Sequence, residues 1–118
     1  MRDFRQLKVW EKSHQLTLDI YQATLLFPDH EKYGLTSQMR RSSASIPMNI
    51  AEGCGRNGNL ELARFLQIAM GSASELEYQL LLTRDLSLLQ ETDYTPLQAQ
   101  TVEVKKMLTA LIKKLRPT

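Results

Sequence analysis

The chain has 118 residues, with 15 Lys and Arg against 13 Asp and Glu, so its formal net charge is only +2. That length suits one domain spanning residues 1–118 with a modest core, and so small a charge does not argue a nucleic-acid partner by itself. A single cysteine, Cys54, excludes an intrachain disulfide; the charged start reads as no signal peptide, and no apolar run nears the ~20 residues of a membrane span, so the expected location is the cytoplasm.

Helix one is predicted from Arg5 to Leu26, with Trp10, His14, Thr17, Tyr21 and Thr24 on one stripe and Val9, Ser13, Leu16, Ile20, Ala23 and Phe27 beside it. Two adjacent stripes exceed what one neighbour covers, which suits a bundle and also a subunit interface, with Val9, Trp10 and Leu16 as the expected surplus surface. The loop FPDHEKYG, bracketed by Pro28 and Gly34, leads to helix two, which starts at Leu35. Its stripe of Leu35, Met39, Ser42, Ile46, Asn49, Ile50 and Gly53 is thin where bulky aliphatics are usual, inviting close approach. Pro47 frees the carbonyl four residues back, and the pattern resumes in phase, so a helix kinked at Pro47 is expected, with Ser43 or Ser45 hydroxyls serving the freed carbonyl.

Gly53 and Gly55 stop helix two, and Asn57, Gly58 and Asn59 form the turn. Helix three is predicted from Leu60 to Leu89, with Leu62, Phe65, Ala69, Ser72, Leu76, Gln79, Thr83 and Leu86 at 3-4 spacing. Its small residues Gly71 to Ser74 are expected opposite Ser42 to Ser45 in an antiparallel hairpin. Pro96 is expected to open helix four, in which Leu97, Thr101, Val104, Leu108, Leu111 and Leu115 keep the heptad. With no strand pattern anywhere, the fold expected is all-α, an antiparallel up-and-down four-helix bundle.

The run QMRRSSASIPMNIAEGCGR, followed by FLQIAMGSASELEYQL, resembles the signature of the 23S rRNA-intervening-sequence protein family, also called the bacterial four-helix-bundle protein family. Leu7, Val9, Trp10, Tyr21 and the segment FPDHEKYGL extend the resemblance to the start of the chain, so only helix four rests on pattern alone. The resemblance implies a short four-helix bundle, homopentamers and no enzymatic activity. It also covers accessory proteins of diversity-generating retroelements, which are basic, bind RNA or DNA and associate with a reverse transcriptase. Gly58 departs from the family's usual helix-capping Ser and Ser13 from its usual Ala; glycine is an acceptable N-cap, and Asn57 or Asn59 is able to do the same job.

Catalytic and metal constellations are incomplete. Glu11 to His14 has the Glu-x-x-His spacing of a di-iron bundle site, but no second such pair exists, because His30 follows Phe27 at that distance. Cys54 has no motif supplying a histidine base, and the glycines from Gly53 to Gly58 lack the strand and Lys-Ser/Thr ending of a phosphate cradle. No cofactor and no enzymatic activity are therefore expected.

Two polar features remain. Arg41, Asn49, Glu52, Ser72 and Glu75 are expected to form a solvent-poor network that sets helix register, or else to line a contact with a partner. In an up-down-up-down bundle, Arg2, Arg5, Lys8, Lys12, Arg56, Arg64, Lys113, Lys114 and Arg116 gather at one pole, against Asp3, Glu11, Glu52 and Glu61. Such a net basic pole would attract a phosphate backbone, with Arg56 and Asn57 donating from the turn. Favourable placement of Lys113 to Arg116 at a helix C-terminus explains those charges equally well without a ligand. The functional expectation is an oligomeric, non-enzymatic nucleic-acid-binding accessory protein; the alternative is a scaffold that binds only a protein partner.

Overall fold

The computed structural model describes residues 2–117; residues 1 and 118, the ends of the expected span, lie outside the described residues. Four helices follow in order: α1 (Lys8–Thr24), α2 (Ser37–Cys54), α3 (Asn59–Asp85) and α4 (Glu91–Leu115). Each packs on the next and α4 returns to α1, so the helices enclose a single apolar cluster in a body 44 × 22 × 20 Å. Among the described residues there is no strand.

α1 is shorter than its apolar pattern. A single 3-10 turn, Phe4–Gln6, precedes it, with the Asp3 carboxylate accepting the Arg5 backbone N–H at 3.0 Å. Val9 and Leu16, expected as surplus surface, lie in the core, while Trp10 is half-buried and packs against Phe4 and His14. The surplus lies elsewhere, at Leu25 and Leu26 past the helix end and along the outer side of α3 at Leu60, Ile68 and Tyr78.

α2 passes Pro47 as one helix. The Ser43 carbonyl, whose helical donor would be the missing N–H of Pro47, accepts instead from Thr17 Oγ1 of α1 at 2.8 Å. The serines expected to serve it are turned elsewhere: Ser43 donates to the Arg40 carbonyl and Ser45 pairs with Ser72. The partner comes from the neighbouring helix because α1 lies against this face of α2 and Thr17 is buried there.

The turn into α3 uses glycine at the point where the chain reverses. Gly58 is the N-cap residue at φ 87°, in the left-handed region that a side chain disfavours, and no side chain caps the helix. Asn59, expected as a possible cap, accepts from Arg2 Nη2. α3 ends at Asp85, earlier than its apolar pattern, and Ser87 at φ 61° turns the chain, leaving Leu86 exposed and burying Leu89. α4 begins before Pro96, with Gln90 as N-cap residue and Glu91 and Asp93 in the first turn, where carboxylates meet the positive end of the helix dipole. Pro96 therefore sits inside α4, and the carbonyl it leaves without a donor belongs to Thr92, an exposed residue open to solvent. Apart from Leu111, which is half-buried, the expected heptad of α4 is buried, with Ile112 joining it.

Candidate nucleic-acid interface

The basic pole is built by an arm and four helix ends. The Arg2 backbone N–H donates to the Cys54 carbonyl at 3.0 Å and its Nη2 to Asn59 Oδ1 at 3.3 Å, which lashes the start of the chain to the end of α2 and the start of α3. Lys8 of α1 and Lys114 of α4 border one shallow slot floored by Leu7, Val9, Met107 and Leu111. Arg2, Arg5, Lys8, Arg56, Asn57, Arg64, Lys113, Lys114 and Arg116 are all exposed.

Their availability differs. Arg5 pairs with Asp3 at 3.2 Å, Arg56 with Glu52 at 3.1 Å and Arg64 with Glu61 at 3.0 Å. The Arg64 hydrogen bond holds the Glu61 carboxyl below the usual carboxylate range. Arg56 and Arg64 also lie over the ring of Phe65, 5.2 and 4.5 Å from its centroid, so both guanidiniums roof a core residue. Among the described residues, Arg2, Lys8, Lys113, Lys114 and Arg116 have no carboxylate partner. These are the charges on which a phosphate would release most counterion.

The expected polar network divides. Asn49 Nδ2 donates to the Ser45 carbonyl at 2.8 Å, and Ser45 Oγ meets Ser72 Oγ at 2.8 Å, joining α2 to α3 where both are thin. Arg41, Glu52 and Glu75 are exposed; Glu52 binds Arg56, and the other two make no side-chain hydrogen bond among the described residues. Long charged side chains on the flank of a packed helix reach water at little cost, so they leave the seam to the short ones. The buried polar link between these helices is instead Ser42 with Gln79, a residue whose heptad position alone suggests only packing.

Candidate chemistry elsewhere is absorbed by packing. His14 stacks on Trp10 with centroids 5.0 Å apart, and among the described residues no three metal-binding side chains converge. Cys54 is buried, and burial pushes its thiol pKa up while nearby Arg2 draws it back. Among the described residues no helix is long and apolar enough to cross a membrane.

A second surface was legible in the sequence only in part: Arg41, Asn49 and Glu52, the residues expected either in a network or at a contact with a partner, line it, but the rest of its wall was not foreseen. A groove of about 770 Å³ runs along α2, bordered by Tyr21, Lys32, Tyr33, Arg40 and Arg41 and ending at Met48 and Glu52. Arg40 is set in place by Thr24 Oγ1 at 2.9 Å and the Tyr21 carbonyl at 3.3 Å, with its guanidinium 4.6 Å from the Tyr21 ring centroid. Tyr21 comes from α1 and Tyr33 from the short helical turn Lys32–Thr36 before α2, so only the folded chain brings them to one groove.

Residues 5–110 match the model of the 23S rRNA-intervening sequence protein family. Among solved structures, the chain is similar to a protein of unknown function from the S23 ribosomal protein family of Bacteroides thetaiotaomicron VPI-5482, with 26% identity, 89% of this chain and 95% of that chain covered, and a TM-score of 0.81. No curated protein matches.

Proposed function

The chain belongs to the 23S rRNA-intervening sequence protein family, and from that premise we propose a non-enzymatic accessory protein that holds RNA or DNA through its basic pole and acts as a closed homo-oligomer. The observation that carries this reading is the set of exposed cations at one end of the bundle that have no carboxylate among the described residues: Arg2, Lys8, Lys113, Lys114 and Arg116. Backbone-directed charge of this kind gives sequence-tolerant binding. The paired Arg5, Arg56 and Arg64, together with Asn57, flank it and serve as secondary contacts.

The apolar side chains Leu60, Ile68 and Tyr78 lie on one outward stripe of α3 and support contact between copies, with a pentamer as the expected ring. A ring would repeat the basic pole and multiply its field. A reverse transcriptase or other protein partner is compatible with the same assembly.

The test replaces Lys8, Lys113, Lys114 and Arg116 together by Ala and measures binding to a mixed-sequence duplex at low salt. The expected result is loss of binding with the helical circular-dichroism signal intact. Unchanged binding in the variant, or none in the parent protein, leaves the protein-only scaffold.

A further inference from the structure

We propose that the groove along α2 is a second site, a track for single-stranded nucleic acid that leads toward the basic pole; this deepens the reading above and rests on it. Tyr33 is 88% exposed and Tyr21 43%, and each has a cation over one ring face: Lys32 Nζ at 5.6 Å from the Tyr33 centroid and Arg40 at 4.6 Å from that of Tyr21. Arg41 extends the positive charge along the wall and has no carboxylate partner among the described residues. The groove's one carboxylate, Glu52, is neutralised by Arg56, which already belongs to the basic pole.

Exposed rings with cations over them suit unpaired bases and their phosphates: each base offers a face to stack on ring or guanidinium whatever its identity, and the charge follows the backbone. A duplex keeps its bases stacked inward and offers the rings nothing comparable. From Thr36 to Glu52 the groove follows α2 for about 24 Å at the helical rise, room for a site at the lower end of the roughly 4–16 nucleotides that single-strand sites span. An acidic amphipathic helix fits less well. It would need a row of apolar anchors, whereas the floor carries Ser37, Ala44 and Ser45 and one large aliphatic, Met48.

The experiment compares oligo-dT, a mixed-sequence duplex and poly-glutamate by fluorescence anisotropy, using the parent chain, the double variant Tyr33→Ala with Arg41→Ala, and Tyr33→Phe. Both residues are exposed, so the fold is expected to survive, and circular dichroism checks it. The double variant should lose oligo-dT affinity by about tenfold or more, the worth of one stacked base, while duplex affinity stays the same and Tyr33→Phe binds like the parent. If the double variant binds both probes as the parent does, the groove proposal falls, whereas the reading of the pole is judged separately by the lysine and arginine variant at that end. Loss of poly-glutamate binding with oligo-dT unaffected would assign the groove to an acidic protein and overturn the proposal. A fall in particle mass by light scattering in the double variant would make the groove a contact between copies, with the same consequence.

Discussion

Thr17 and Pro47 form a pair that neither residue explains alone. A proline inside a helix strands a carbonyl, and here the hydroxyl of Thr17 takes up that of Ser43 from the adjacent helix. Removing the hydroxyl leaves a buried acceptor without a donor, which costs about 1–3 kcal/mol. Thr17→Val should therefore lower unfolding stability in urea by that order. In a Pro47→Ala background, where the helix regains its own donor for Ser43, the same change should cost distinctly less. Equal losses in both backgrounds would show that the bond does not compensate the proline. The sequence made the stranded carbonyl visible through Pro47, but pointed to local serines as its partners, because which helix lies against it is a tertiary fact.

At the scale of elements, the α2–α3 hairpin is the best example of what patterning reveals. The thin stripes around Ser42 to Ser45 and Gly71 to Ser74 read as a close seam, and Ser45 bonds Ser72 across it. Gly53 marks the closest approach: a Cβ there would stand 2.8 Å from Phe65 Cβ and 3.0 Å from Leu62 Cδ1. The atom met is the Cβ of Phe65, fixed to the α3 backbone, so a rotamer change cannot relieve it and the helices themselves would have to shift. Gly53→Ala should destabilise the protein by about 1–3 kcal/mol, the usual cost of overpacking, measurable as a lower urea midpoint; an unchanged midpoint would mean the helices separate freely. Helix ends were less legible. Leu86 fits the heptad yet lies beyond the helix because Ser87 turns the chain, and Pro96 reads as a start although the carboxylates of Glu91 and Asp93 open α4 a turn earlier. Periodicity reports which face is apolar, while caps and turns decide where the backbone leaves it.

For the whole molecule, alternation of helix direction was enough to bring the cations of the chain's start, the α2–α3 turn and the end of α4 to one end, while Lys32, Arg40, Arg41 and Arg84 lie away from it. Which of them are available was legible only in part: Glu52 with Arg56 and Glu61 with Arg64 have the i,i+4 and i,i+3 spacing of helical ion pairs, whereas the pairing of Arg5 with Asp3 depends on the 3-10 turn ahead of α1. Of the tyrosine groove, Arg41, Asn49 and Glu52 on α2 were legible as a possible contact surface, but Tyr21 and Tyr33, on separate segments, were not. The outward stripe of α3 predicts that light scattering at micromolar concentration will give a mass several times that of one chain; a monomer would remove the ring from the account. The central claim, that the pole binds nucleic acid through free cations, is tested most directly by the salt dependence of duplex binding. The account predicts a steep linear fall of log affinity with log salt, made shallower by about 0.9 for each phosphate contact removed in the Lys8, Lys113, Lys114 and Arg116 variant. A slope that is flat, or identical in the parent and the variant, would contradict it.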